Sequence, residues 1–190
     1  MWPTFKIYKI LIMKLSIPSI SEIFKHISVT VQRFPFVVFA ALVLAVASIS
    51  LTELQDSLEH DLTWLTELIF VGSLAISVFL ATTTLAESLA FSFSKTLILR
   101  LVSLCFLVAY YFLLDGKIAN GPEMHAYKFS LLLLAAHLFV SFSPFIKNFD
   151  INQFWGYNKT LLLELSKSAI YSFILFIGLT IALLSLDALF

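Results

Sequence analysis

A single cysteine, Cys105, excludes both an intrachain disulfide and a metal-thiolate cluster. It lies in an apolar segment, where a thiol packs as a small hydrophobe. Charge is scarce as well: 13% of the 190 residues, against about 25% in soluble domains. The twelve basic residues cancel the twelve acidic ones, so no bulk field favours nucleic acid. Glycine and proline number five each, too few for a disordered or collagen-like polymer. Also missing are Gly-x-Ser-x-Gly, a phosphate loop, His-Glu-x-x-His and a dinucleotide fingerprint. His26, His60, His125 and His137 fall in four separate segments without an i, i+4 pair, so neither a metal nor another cofactor is expected. No nucleophile and base can be paired from spacing, which leaves catalysis without a named residue.

What is present is hydrocarbon. The chain is 60% hydrophobic with twenty Phe, and its mean hydropathy is +0.98. These values point to a lipid bilayer as the main solvent and to helices as the means of crossing it. The expected fold is all-α: a polytopic transmembrane helix bundle of five spans, preceded by an amphipathic interfacial helix.

Residues 1–15 carry three Lys and no sustained apolar run, so they read as a poorly ordered leader. Met13 before Lys14 is an alternative start. In 16–33, Ile20, Ile23, Phe24, Ile27, Val31 and Phe34 recur at spacings of three and four and share one helical face. Lys25, His26, Gln32 and Arg33 take the opposite face. Ser19 with Glu22 forms a capping-box pattern after Pro18. Such a helix suits anionic lipid headgroups, with ordinary packing against other spans as the competing reading.

The transmembrane region is 34–190, with spans at about 34–51, 68–86, 97–114, 129–146 and 166–187. Pro35 falls in the first turn of span one, where its missing N–H does no harm. Ala45-Val46-Ala47 resembles a cleavage site, but the leader before it is too long for an ordinary signal peptide. The stretch Thr52 to Glu67 holds Glu53, Asp56, Glu59, Asp61 and Glu67 and no Lys or Arg; it reads as a loop, with Trp64 at interfacial depth. In span two, Ser73, Ser77 and Ala81 form a small-residue stripe that admits a second helix. Thr82, Thr83 and Thr84 can return their hydroxyls to the preceding turn. Glu87, Ser92, Ser94 and Lys95 are assigned to a turn, and span five contains the small pair Gly178 and Ala182.

Sidedness follows from basic residues. With the N-terminus inside, Lys6, Lys9, Lys14, Lys25, Arg33, Lys95, Arg100, Lys147, Lys159 and Lys167 are cytoplasmic, while Lys117 and Lys128 are outside. The positive-inside rule therefore places residue 190 on the outer side and the acidic stretch after span one outside as well.

The run Phe154-Trp155-Gly156-Tyr157-Asn158-Lys159, then Leu161-Leu162-Leu163 and a span closing in Leu183-Leu184-Ser185-Leu186-Asp187-Ala188-Leu189-Phe190, resembles the bacterial membrane-protein family called domain of unknown function 4153. Leu15 through Phe36, with Ser-Ile-Pro-Ser and Gln32-Arg33-Phe34-Pro35, is similar to the start of that family. The resemblance covers about residues 14–190. It implies a multi-pass inner-membrane protein with no assigned activity, of which this chain would be an N-terminal portion, since family members continue with further spans.

Seven residues stand out as candidates. His137, at the midpoint of span four, suits a proton relay or ligand contact, or else a neutral imidazole bonded to a neighbouring helix. Arg100 can snorkel to the headgroups or turn inward toward Glu87 or Glu164. Glu164 and Lys167 are three apart and can pair. Trp155, Tyr157 and Asn158 suit an aromatic belt, with Asn158 as the N-cap of span five, or a binding loop for lipid headgroups or a partner helix. The leading functional expectation is a non-catalytic envelope component: a scaffold, sensor or partner-binding subunit. A transporter using His137 and Arg100, or a lipid-modifying enzyme converging His137, Glu164 or Asp187, are the alternatives.

Overall fold

The computed structural model describes residues 20–55, 62–114 and 123–189. All described secondary structure is helical: α1 Ile20–Arg33, α2 Pro35–Gln55, α3 Thr63–Ser88, α4 Phe93–Leu114, α5 Glu123–Phe142 and α6 Ile151–Asp187, with a 3₁₀ turn at Ser143–Phe145. Five of these helices are long and apolar enough to cross a membrane, with mean hydropathies from 1.5 to 2.3. The all-α, multi-pass reading therefore holds. The leader 1–15, the Ser19 cap and residues 56–61 of the acidic stretch lie outside the described residues.

Two units divide at Pro35. In the first, α1 exposes Phe24, Ile27 and Val31. Its last turn closes with Phe34 N–H donating to Thr30 O at 2.9 Å. The helix stops there because the residue before a proline is pushed out of the helical region. The Arg33 guanidinium covers the Phe34 ring at 4.8 Å.

The second unit is organised on α3. Leu74 and Ala81 are fully buried, and Glu67, Ser77 and Thr84 nearly so. With Phe70 they form the series 67, 70, 74, 77, 81, 84, alternating steps of three and four. On α5 and its 3₁₀ extension the buried residues Phe129, Ala136, Val140 and Ser143 follow the same rhythm. Contacts across the pair join Phe70 to Phe129, Ser77 to His137 and Thr84 to Ser143. Their sequence separation stays near 60, so α3 and α5 run parallel and in register, as heptad spacing requires. Within hydrocarbon no water drives this pairing; close packing of small residues and hydroxyl contacts sustain it.

Two of the three threonine hydroxyls behave as the sequence predicts. Thr82 donates to Phe79 O at 3.2 Å, and Thr84 lies 3.0 Å from both Leu80 O and Ala81 O. The Thr84 and Ser143 hydroxyls meet each other across the two helices, and each also has a carbonyl acceptor on its own helix. Of the small-residue stripe, Ser77 and Ala81 are buried, while Ser73 returns its hydroxyl to Phe70 O at 2.7 Å.

α2 runs on to Gln55, which takes Glu53 out of the expected loop, and α5 starts at Glu123, ahead of the expected 129; three other boundaries also differ. First, α3 begins at Thr63, so Glu67 is a buried helical residue and not part of an outer loop. Second, the turn between spans two and three shrinks to Leu89–Ser92, leaving Glu87 in α3 and Ser94 and Lys95 in α4. This turn is a Schellman cap: Phe91 N–H donates to Ala86 O at 3.0 Å and Ala90 N–H to Glu87 O at 3.1 Å. Ala90 occupies the left-handed position at φ 50°, which suits glycine better. Ala90→Gly is expected to stabilise the chain by about 1 kcal/mol, read as a higher melting temperature in detergent. A β-branched residue there should lower it.

Third, α6 starts at Ile151, well before the expected start of span five. Asp150 is its N-cap, accepting from Gln153 N–H at 2.8 Å, so Asn158 is not the cap. An aspartate in extended backbone caps the start of the helix, and no proline between 151 and 166 stops it. At 37 residues and 1.5 Å per residue it measures about 55 Å, roughly twice what a bilayer core needs.

Candidate functional site

The run 154–159 forms the opening turns of α6 and not a loop. Phe154, Tyr157 and Asn158, at i, i+3 and i+4, are half-buried, while Trp155 and Lys159 are exposed. Spacing alone dictates that division. The inner face meets the end of α5. Phe154 stands edge-on to Phe145 at 5.5 Å and to Phe142 at 6.3 Å, and Tyr157 meets Phe145 at 5.6 Å. Phe149, in the connection, closes on Phe154 at 5.6 Å. Asn158 donates to Phe154 O at 3.0 Å and across to Ser141 O at 3.4 Å. The density of the motif thus has a mechanical use: it clamps the base of α6 to α5 through edge-to-face rings. Gly156 meets nothing within 4 Å of a would-be Cβ, so no close approach requires that glycine.

Beyond the clamp, α6 packs little against the described residues. None of its residues is buried. Glu164 and Lys167 pair at 2.7 Å as their spacing predicts, and both are exposed. Thr180 and Ser185 return their hydroxyls to Phe176 O and Ile181 O. Gly178 has open space where a side chain would stand.

His137 is exposed and sits across from buried Ser77. Its Nδ1 lies 2.9 Å from Leu133 O and 3.4 Å from Ser77 Oγ. A carbonyl oxygen only accepts, so the tautomer with its hydrogen on Nδ1 is the one that satisfies the Leu133 contact. The shorter contact is within its own helix, and the interhelical one to Ser77 is the longer.

Arg100 is half-buried. Its guanidinium lies 5.4 Å from the centre of the Phe36 ring, at the start of α2, in cation–π range. Its Nε is buried and has no hydrogen-bond partner among the described residues. A ring face stands beside the guanidinium, where the inward alternative expected Glu87 or Glu164. Glu67, assigned from sequence to a loop, is the residue that reasoning missed. It is 4% exposed, and one carboxylate oxygen has no hydrogen-bond partner among the described residues. The overlooked signal was Thr63-Trp64, which begins the helix a full turn before the apolar run.

The seven candidates therefore fall in four separate places: the α5–α6 clamp, the exposed Glu164–Lys167 pair, the Ser77–His137 contact and the Arg100–Phe36 stack. Among the described residues no group of three or more His, Cys, Asp or Glu could hold a metal. Among the described residues, two cavities lie against α2, and both are walled almost wholly by apolar side chains. The larger, about 440 Å³, lies among Phe39, Val46, Trp64 and Leu68. The other, about 380 Å³, lies among α2, α3 and α4. His137 lines neither. No family model, curated protein or solved structure matches this chain.

Proposed function

We propose that this chain is a non-catalytic component of a bacterial inner membrane, a partner-binding subunit or scaffold that joins other transmembrane helices through α6. One observation carries the reading. Of two spans with near-equal hydropathy, 56% of the residues in the apolar window of α3 are buried and none of those in the window of α6. A helix clamped at its base and bare along its span suits association with a helix from another chain. Gly178 and Ala182 lie one turn apart on that span and allow close backbone approach. The resemblance of 154–159 to domain of unknown function 4153, and the placement of the N-terminus in the cytoplasm by basic-residue count, belong to the same reading.

The alternatives have less behind them. A transport pathway through Arg100 and His137 needs both in one polar cavity, whereas the described cavities are apolar. A lipid-modifying centre needs His137, Glu164 or Asp187 to converge, whereas Glu164 is engaged by Lys167.

The test is the size of the assembly in mildly solubilised membranes. The wild-type chain should migrate on native gels as a complex larger than one copy. Gly178→Ile with Ala182→Ile should reduce it to a single copy, while Ile174→Leu should not. A wild-type chain that already migrates as a single copy contradicts the reading.

A further inference from the structure

We propose that the cleft among α2, α3 and α4 is a binding site for one membrane phospholipid with an anionic headgroup, its acyl chain in the cleft and its phosphate on Arg100. The cleft, about 380 Å³, falls in the size range of small-molecule sites. Its floor comes from α3, where Val71, Ala75 and Phe79 are buried. Its lips are exposed side chains: Phe39 on α2, and Leu104 and Val108 on α4. The walls carry almost nothing but carbon, which fits a hydrocarbon chain and excludes a polar solute.

Arg100 belongs to this cleft by helical spacing. Arg100, Leu104, Leu107 or Val108, and Tyr111 recur at steps of three and four along α4, and the last four line the cavity. The guanidinium continues the same stripe, one turn beyond Leu104. Phe36 joins the two regions, since it lines the cavity and also lies beneath the Arg100 guanidinium. The site thus pairs an apolar slot with a cation at one end. Among the described residues that cation meets a ring but no carboxylate, and its Nε retains an unused hydrogen. A guanidinium matches a phosphate in charge and planar donor geometry. The anion completes what the chain leaves open.

This inference is independent of the α6 reading, and its test is independent too. The purified chain in neutral detergent is titrated with phosphatidylglycerol and, separately, phosphatidylcholine, and bound lipid is counted by native mass spectrometry. One phosphatidylglycerol should bind roughly tenfold more tightly than phosphatidylcholine, as a charged hydrogen bond in a partly buried site predicts. Arg100→Gln should abolish the preference and Arg100→Lys should keep part of it. Ala40→Leu, which narrows the slot but leaves the charge, should weaken both lipids. Circular dichroism confirms that each variant is folded. Gly178→Ile with Ala182→Ile should bind lipid as the wild type does, so failure of the α6 reading leaves this result unchanged. Equal binding of the two lipids by the wild type overturns the proposal, as does a preference that survives Arg100→Gln. Unaltered binding in Ala40→Leu places the lipid elsewhere and overturns it equally.

Discussion

Leu74→Ala should destabilise the chain by about 2–3 kcal/mol, the lower part of the range for buried leucines. Leu74 is 0% exposed and stands midway along the α3 series that meets α5. In a soluble protein the loss would combine a water-transfer contribution with that of the cavity left behind. Between helices in hydrocarbon the first largely disappears, because lipid tails are as apolar as leucine. The cavity contribution persists, since a void removes packing partners whatever the surrounding solvent. Unfolding in mixed micelles should show the loss. Leu162→Ala, at an exposed site on α6, should change stability by less than about 0.5 kcal/mol. Equal effects at the two sites would deny α3 its central place.

Phe145→Ala should have a comparable or larger effect, about 3 kcal/mol, from loss of a buried aromatic volume and two edge-to-face contacts. Phe145 is 8% exposed and contacts both Phe154 and Tyr157. Its removal frees the base of α6. Hydrogen exchange should therefore accelerate over 151–160 while the α3 core stays protected. Substituting Trp155, which is 65% exposed, should leave that exchange pattern intact. Uniform acceleration along the whole chain after Phe145→Ala would show that the clamp is not a local device.

The spans were legible because their determinant is local. An uninterrupted apolar run of sufficient length declares a crossing whatever its neighbours are, and Asp187 and Pro35 punctuate the ends. The Glu164–Lys167 pair and the Thr82 and Thr84 back-bonds were legible for the same reason, since partners within one turn follow from helical geometry. The start of α6 was not. Its polar opening, Ile151 to Thr160, has no hydropathy signal, and the Asp150 cap belongs to a helix whose first turns bury rings against α5. Reading by hydropathy begins the helix where the lipid begins.

Partnership between helices was harder still. The register of α3 on α5 rests on small residues and hydroxyls at heptad spacing, but similar residues on α6 remain bare. Lipid is as good a neighbour as another leucine, so composition does not say which apolar faces meet. Arg100 illustrates the point: its helical position was clear, but an arginine opposite carboxylates and one over Phe36 read alike in sequence. Glu67 is the converse, an acidic residue counted with a charged loop although Thr63 and Trp64 had already begun the helix.

The most direct measurement of the central claim, five crossings by one chain with the acidic stretch and the aromatic clamp on opposite faces, is site-by-site labelling with a membrane-impermeant thiol reagent. Cys105 is exposed and is first replaced by serine. Single cysteines are then placed by Lys25→Cys, Glu59→Cys, Ser92→Cys, Asn148→Cys and Leu189→Cys. Positions 59 and 189 should label in intact cells, and 25, 92 and 148 only after the membrane is opened. Labelling of 59 and 148 from the same side would contradict the five-span account.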